Sequence, residues 1–362
     1  MEFFGRAYEI ERLRTQWNTV TQKETSRLVA LTGRRGVGKT TLLHQAFRGR
    51  DGIRYVHFFV PEGSSARRIA ALWSGVLSRA LGFSASTLGE TPFEVLRTAV
   101  ELTRDDPAVI VVDECQRLDR EEPDFWGLLQ HLWDSKRRST RALLIMCGSD
   151  DAALERIFND GRAPMYGRTD EQMRLQPFTP KEMVGLVRAA APKAVPRDLL
   201  TIYAMTGDLP RYLNMLAEAE ALTAEKAVRY FFSGAGDMFR SDGLRCLADE
   251  FGIESPIYQD LLDKIVEGRT RWSELQEGNG PDVAAYLKRQ EAFRIIRRLT
   301  PFASGRRRGL TRWEIVEPQF DFHLRFGRPA YCLGWPTTDD CSDFTAACLA
   351  ALPQHLERVL KV

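Results

Sequence analysis

Short apolar runs alternate with amphipathic stretches through the first half of the chain. Five runs have the length and composition of strands, at residues 27–32, 54–60, 108–113, 142–147 and 172–177. Several are apolar throughout rather than alternating, as strands buried on both faces are. The stretches between them, such as 40–47 and 66–81, have helical spacing. Over residues 1–178 the pattern predicts an α/β fold, a parallel sheet with helices on both faces.

The pattern changes after residue 178. Thr179, Pro180 and Glu182 have the residue types of a helix start: a hydroxyl cap, a proline in the first turn and a glutamate three residues after the cap. Residues 179–251 have helical spacing with one break, at 207–210, and predict a small α-helical lid.

The remainder of the chain predicts a third module and a tail. Two short helices, at 257–267 and 272–276, precede a longer one at 282–296 and a strand, basic turn and strand that end near residue 316. This order predicts a winged helix-turn-helix domain over residues 252–328. Residues 329–362 predict one capping helix.

Composition narrows the class of protein. The chain has 362 residues, 44% hydrophobic and 28% charged, which fits a globular protein of two or three domains. The net charge of +2 creates no strong overall field, so a nucleic-acid partner has to be argued from local patches. No apolar run is long enough to cross a membrane, and the first residues lack the plan of a signal peptide. We therefore expect a cytoplasmic protein with no membrane partner.

Cysteine and histidine spacing argues against a metal centre or a disulfide framework. The six cysteines form no C-x₂-C pair, and the five histidines do not cluster near them.

One glycine-rich segment carries a phosphate-binding pattern. Residues 33–40 read G-x₄-G-K-T between the first strand and a helix. The glycines let successive N–H groups converge on phosphate oxygens, and the helix adds the positive end of its dipole. We expect Lys39 to bridge the β- and γ-phosphates of ATP and the Thr40 hydroxyl to bind Mg²⁺. The expected nucleotide contacts are Gly33, Arg34, Arg35, Gly36, Val37, Gly38, Lys39, Thr40 and Thr41.

A second motif follows the apolar strand at 108–113, which ends in two carboxylates. We expect Asp113 to hold Mg²⁺ through water at the carboxyl edge of the sheet, and Glu114 to orient and deprotonate the attacking water. The alternative is a solvated acidic pair after a core strand. An acid beside the metal ligand, together with an inserted strand, describes the additional-strand, catalytic-glutamate branch of P-loop NTPases. Ser149, at the polar end of the fourth strand, is expected to contact the γ-phosphate or the water.

Together these residues resemble the archaeal-type ATPase family, a relative of the AAA+ and STAND ATPases, from Phe4 to about residue 328. Residues 4–13 are similar to the family's F-x-G-R-x-x-E-x-x-x-L motif, which implies that Arg6 lies near the adenine. Residues 129–134 and 144–149 are similar to its L-Q-x-L-W-D and L-I-L-x-G-S segments.

Two further motifs carry the resemblance. Residues 163–168 look like the family's S-P-L-Y-G-R, which implies that Arg168 is an arginine finger, acting in cis or across a contact between subunits. Residues 207–213 resemble its G-G-x-P-R-Y-L, which implies that Pro210 and Arg211 lie over the nucleotide. The alternative for each arginine is a surface salt bridge. Whether the protein forms a homo-oligomer through the arginine finger is left undetermined.

The winged-helix segment also follows the family pattern, with departures at Gln290, where the family has an apolar residue, and Arg294, where it has glycine. Residues 264–328 hold 14 Lys or Arg against 8 Asp or Glu. Double-stranded DNA would then contact the third helix and the wing, through Lys288, Arg289, Arg294, Arg306, Arg307 and Arg308. Winged helices also dock proteins, so a protein partner is the alternative. No paired carboxylates with a lysine follow residue 326, so nuclease activity is not expected.

The sequence leaves the rate of hydrolysis open. One reading is an active ATPase whose lid and winged helix move during turnover. Another is a slow, STAND-like regulatory switch that acts as a protein-interaction scaffold, in which hydrolysis only resets the conformation. A third is an ATPase associated with DNA. An intact Glu114 favours hydrolysis over binding alone.

Overall fold

The computed structural model describes residues 3–81, 88–241, 256–276, 282–292, 295–300, 311–327 and 342–360. The chain divides into two compact units, Glu2–Gln176 and Pro177–Val362. This division falls two residues before the boundary predicted at residue 178. No helix in the described ranges combines the length and apolar character needed to cross a membrane.

The N-terminal unit contains a five-stranded sheet in which every pair of neighbouring strands is parallel. Its strands are β1 (Arg27–Thr32), β2 (Arg54–Phe59), β3 (Ala108–Asp113), β4 (Ala142–Gly148) and β5 (Glu171–Arg174). The first four lie within one residue of the predicted bounds, whereas β5 ends three residues earlier than predicted. It ends there because its neighbour β1 stops at Thr32, opposite Arg174, where the glycine-rich loop begins.

Strand order in the sheet is β2-β3-β4-β1-β5. Along the chain β2 comes between the glycine-rich loop and β3, but in space it lies at the edge of the sheet. The strand inserted between β1 and β3 is β4, which pairs with both. Because all strands are parallel, the carboxyl ends of β1, β3 and β4 meet at one edge, which is where open α/β sheets bind ligands.

Helices cover both faces of this sheet. They are α1 (Ala7–Lys23), α2 (Lys39–Phe47), α3 (Ala66–Leu81), α4 (Pro92–Glu101), α5 (Leu118–Glu121), α6 (Phe125–Lys136) and α7 (Asp151–Asn159). Every residue of β3 and β4 is buried, which explains why these strands are apolar throughout. Large rings from the helices, including Trp73 and Trp133, fill the core against them.

The C-terminal unit is mostly helical. Its helices are α8 (Pro180–Ala190), α9 (Pro196–Thr206), α10 (Pro210–Glu218), α11 (Ala224–Phe232), α12 (Pro256–Val266), α13 (Trp272–Leu275), α14 (Ala284–Ala292), α15 (Pro318–Phe322) and α16 (Ser342–Leu360). A π-helical turn, His323–Gly327, follows α15. The predicted helix start is confirmed, because Thr179 and Glu182 bond each other's backbone N–H groups in a capping box.

Helices α12 to α14 precede an antiparallel pair, β6 (Ile296–Leu299) and β7 (Arg312–Ile315), in the order predicted for a winged helix. They share a core that includes Leu262, Leu287 and Trp313. The third helix is shorter than predicted: Ile296 already belongs to β6, where it pairs with Ile315.

The tail helix α16 packs within this same unit. Phe344 stacks on Phe232 of α11 at 6.1 Å between ring centroids, and His355 lies 5.7 Å from Phe322 of α15. The finer division into lid, winged helix and tail stays a prediction.

Candidate functional site

The glycine-rich loop joins β1 to α2 through glycines with positive φ. Gly33, Gly36 and Gly38 have φ values of 147°, 81° and 94°. A Cβ on Gly33 would lie 2.5 Å from the carbonyl oxygen of Leu175, so the loop passes too close to the chain after β5 for any side chain. No side chain caps α2, so its first-turn N–H groups are of the kind that P-loops present to phosphate.

Lys39 is 7% exposed and lies within the loop. Its Nζ donates to the carbonyl oxygens of Gly33 at 2.5 Å and Arg34 at 3.2 Å, which compensates the burial of the charge. Val37 is buried, Arg35 and Thr41 are exposed, and the side chain of Arg34 is half-buried.

Asp113, at the carboxyl end of β3, is 5% exposed and contacts the side chains of Thr40 and His57 among others. Its Oδ2 accepts from Thr40 Oγ1 at 2.8 Å and lies 3.2 Å from His57 Nε2. Burial alone would raise the pKa of Asp113, but the hydrogen bonds from His57 and Thr40, together with the charge of His57 and a hydrogen bond from Cys147, outweigh it, so that this pKa is below its usual value. An ionised carboxylate beside a hydroxyl is a set of hard oxygen donors of the kind that Mg²⁺ takes.

His57 was missed by the sequence reasoning. It lies in β2, two residues before Phe59, which pairs with Asp113, so that both side chains are on one face of the sheet. The only signal in the sequence was a histidine inside an otherwise apolar and aromatic run. Its partner could not be read without the strand order.

Glu114 follows β3 in a left-handed conformation, with φ 58° and ψ 39°. Its Oε2 accepts from Ser149 Oγ at 2.8 Å and from Gln116 Nε2 at 2.7 Å. The structure therefore brings Ser149 to Glu114, whereas its expected contact with the γ-phosphate or the water stays a prediction. Gln116 is a second residue that the sequence reasoning missed.

Arg168 is held in a bidentate pair with Asp134 in α6. Its Nε and Nη2 donate to the two Asp134 oxygens at 3.0 and 2.8 Å, and Nη1 donates to the carbonyls of Pro164 and Tyr166. The bond to Asp134 raises the pKa of Arg168 and lowers that of Asp134. This is the salt bridge weighed as the alternative, and the arginine-finger role stays a prediction.

Arg6 is buried and has a left-handed backbone at the start of α1. Its guanidinium donates to Glu9 at 3.2 Å and to the carbonyl of Gln176 at 2.6 Å, tying the N-terminus to the chain beyond β5. Its contact with adenine stays a prediction.

Pro210 and Arg211 open α10 in the C-terminal unit, where Pro210 is buried and Arg211 is half-buried. Their contact with nucleotide also stays a prediction.

Two of the six residues predicted to contact DNA lie within the described residues. Lys288 and Arg289 are exposed on α14, and the Arg289 guanidinium lies 5.8 Å from the centroid of the Tyr258 ring. Arg294, Arg306, Arg307 and Arg308 lie outside the described residues.

Residues 3–216 match the family described as an ATPase domain predominantly from Archaea. This match covers more than half of the chain and includes both the loop at 33–40 and the acidic pair after β3. The chain belongs to this family. The resemblance drawn from its motifs is thereby confirmed for the P-loop ATPase core.

An uncharacterized protein of Methanocaldococcus jannaschii is 23% identical to this archaeal-type ATPase over 305 residues, which are 82% of this chain and 63% of that protein. The chain thus spans less than two thirds of the relative's length.

Two solved structures have the same fold. A Walker-type ATPase of Pyrococcus abyssi superposes with a TM-score of 0.62 and 19% identity, covering 89% of this chain and 96% of that one. The ORC2 protein of Aeropyrum pernix, in ADPNP–ADP complexes, superposes with a TM-score of 0.58 and 16% identity, covering 100% of this chain and 96% of that one. These likenesses confirm the P-loop NTPase fold, and a C-terminal winged helix is consistent with them.

Proposed function

We propose that this ATPase-family protein binds ATP with Mg²⁺ at residues 33–41 and hydrolyses it. The observation that carries the proposal is the meeting of Lys39, Thr40, Asp113 and Glu114 at one edge of the sheet, with Thr40 bonded to Asp113 at 2.8 Å. The nucleotide complexes of the Aeropyrum pernix protein, which has the same fold, support it.

Each of these side chains has a role that follows from its chemistry. The Lys39 ammonium, now shared between two loop carbonyls, would turn to the phosphates, whose negative oxygens bind it more strongly. Thr40 and Asp113 would hold Mg²⁺, which when bound supplies positive charge against the β- and γ-phosphates. Glu114 would accept a proton from water as general base. Ser149 would orient Glu114 and, with Arg168, complete the site.

Two variants and their matched controls test the assignment. Lys39→Ala should lose ATP binding in equilibrium titration, whereas Lys23→Ala, at an exposed lysine of α1, should not. Glu114→Gln should keep bound ATP unhydrolysed and lower turnover by about 10²–10⁴-fold. Glu101→Gln, at an exposed position of α4, is its control. Equal turnover in wild type and Glu114→Gln would refute hydrolysis at this site.

The rate of turnover separates an active ATPase from a slow switch. We propose that nucleotide state is coupled to the winged-helix module, acting in the cytoplasm. An ATPase should turn over many times per minute alone or with its partner. In a slow switch, hydrolysis should instead be slower than ADP release. The ATP-bound and ADP-bound forms should then differ in conformation, which hydrogen exchange measures.

DNA is a second proposed partner, supported by the exposed Lys288 and Arg289 on α14. Gel shifts over a salt series should show affinity falling steeply with salt, and a Lys288→Ala, Arg289→Ala double variant should weaken binding and flatten that slope. Lys226→Ala, at an exposed lysine of α11, is the control. A flat salt response, or full binding by the double variant, would favour a protein partner instead.

A further inference from the structure

Glu114 has an unusual backbone conformation. Its φ of 58° places a non-glycine residue in the left-handed region, between the end of β3 and the 3₁₀ turn Cys115–Arg117. Such conformations cost energy and persist where surrounding structure enforces them. Here the fully buried Cys115 anchors the next residue in the core, and Glu114 is left to turn its carboxylate back toward the end of β4.

Both donors to the Glu114 carboxylate reach the same oxygen. Gln116 Nε2 and Ser149 Oγ lie 2.7 and 2.8 Å from Oε2. In the described part of the chain no donor reaches Oε1. Two hydrogen bonds to a charged acceptor fix its orientation far better than one, so the plane of this carboxylate is set and Oε1 stays open to a reactant.

The amide of Gln116 has room because its neighbour Gly148 has no side chain. A Cβ on Gly148, the last residue of β4, would lie 2.2 Å from Gln116 Oε1 and 2.9 Å from Leu154 Cδ1. The amide of Gln116 therefore fills the volume that any other residue at position 148 would take. Its Oε1 is buried without a hydrogen-bond partner among the described residues, which costs free energy.

We propose that Gln116 is a positioning residue for hydrolysis: it holds Oε2 of Glu114, together with Ser149, so that Oε1 takes the proton from the attacking water. This inference rests on the proposed function, in which Glu114 is the general base. Gln116 itself touches no reactant. Gly148 takes part by leaving room for the amide.

Two variants disturb the contact from opposite sides. Gln116→Leu removes the donor at similar size, and Gly148→Ala displaces the amide without changing Gln116 or Glu114. Each should lower kcat by about 10–100-fold, the usual effect of losing a group that orients an active-site residue, with ATP affinity and KM changed by less than about two-fold. The matched controls are Gln22→Leu, at an exposed position, and Gly127→Ala, where a Cβ in α6 would meet nothing within 4 Å.

A measurement without nucleotide tests the contact itself. Hydrogen exchange of the amides in residues 108–117 is compared in the full chain for wild type, Gln116→Leu, Glu114→Ala and the double variant, because a chain of two units need not unfold in one step. Since each single change breaks the same bond, the changes in the free energy of opening should not add. Additive changes would overturn the proposed contact. This readout remains informative if Gly148→Ala does not fold.

The outcomes separate the two proposals. If Glu114→Gln abolishes turnover while Gln116→Leu retains the wild-type kcat, Gln116 is not a positioning residue and the proposed function stands. Faster turnover in Gln116→Leu would overturn the inference in the same way, because the amide would then restrain the base. If Glu114→Gln turns over like wild type, the proposed function fails, and the inference fails with it.

Discussion

Asp208 should give a large pH effect on the stability of the C-terminal unit. It lies between α9 and α10 with φ 61°, is 6% exposed, and its Oδ1 has no hydrogen-bond partner among the described residues. Glu317 reaches the same junction, since its Oε2 would lie 3.6 Å from a Cβ on the neighbouring Gly207. Burial and then repulsion by Glu317 raise the pKa of Asp208 from 3.8 to about 7. The pKa of Tyr203 nearby is raised as well, first by burial and then by repulsion from Asp208 and Glu317.

The sign of the effect follows from linkage. The folded state binds the proton of the Asp208 carboxyl more tightly than the locally opened state does. The stabilisation that this proton gives the folded state is fully present below pH 3.8 and is lost as pH rises through about 7. A shift of about three pKa units is worth about 4 kcal/mol at most. Asp208→Asn cannot ionise, and asparagine tolerates the left-handed backbone. Relative to wild type, the free energy of opening of Asp208→Asn should therefore be little changed near pH 4 and higher by up to about 4 kcal/mol above pH 7.5.

Hydrogen exchange over residues 196–218 is the suitable assay, because a chain of two units need not unfold in one step. At pH 8 the opening equilibrium of these amides should fall in Asp208→Asn by up to about 10³-fold, and the difference should shrink as pH falls toward 4. Asp198→Asn is a matched control with the opposite sign. Asp198 accepts from the backbone N–H groups of Val195 and Ala224, so its replacement should speed opening at every pH.

The reasoning would be refuted if the opening equilibria of wild type and Asp208→Asn changed with pH in parallel from pH 4.5 to 8. Glu317→Gln provides an independent test. Without the second carboxylate the pKa of Asp208 should fall, so the loss of stability should begin at lower pH and level off at a smaller value.

Three further predictions concern the N-terminal unit. His57→Phe removes a bond to Asp113 and should raise the Mg²⁺ concentration needed for half-maximal ATP binding by about 10-fold, and an unchanged requirement would exclude this role. If Arg168 is an arginine finger, Arg168→Ala should lower ATP turnover by about 10³-fold. If turnover falls no further than in Asp134→Ala, loss of the Arg168–Asp134 ion pair explains the effect and the arginine-finger role is excluded. Gly33→Ala should abolish ATP binding in titration, because its Cβ would lie 2.5 Å from a backbone carbonyl, and retained affinity would contradict the geometry.

The sequence alone determined the features that are local in the chain. The phosphate loop is one continuous segment between a strand and a helix, so its residue types and spacing sufficed to find it. The capping box at Thr179 spans four residues and was read in the same way. Strands β3 and β4 are buried at every position, and their unbroken apolar runs predicted a parallel sheet with helices on both faces.

The tertiary structure decided which distant residues meet. Strand order places β4, and not the β2 that comes first along the chain, between β1 and β3. From that order and its register follow the contacts of His57 with Asp113 and of Ser149 with Glu114. It also decided that Arg168 pairs with Asp134, which no residue pattern singled out.

The physical reason is the range over which each signal acts. Periodicity and turn chemistry record what a residue does within a few positions of itself, because they reflect backbone conformation and the face that is buried. An interaction such as the repulsion between Asp208 and Glu317 depends on packing between residues more than a hundred positions apart. Many partners would satisfy the same local pattern there, and only the folded chain selects one.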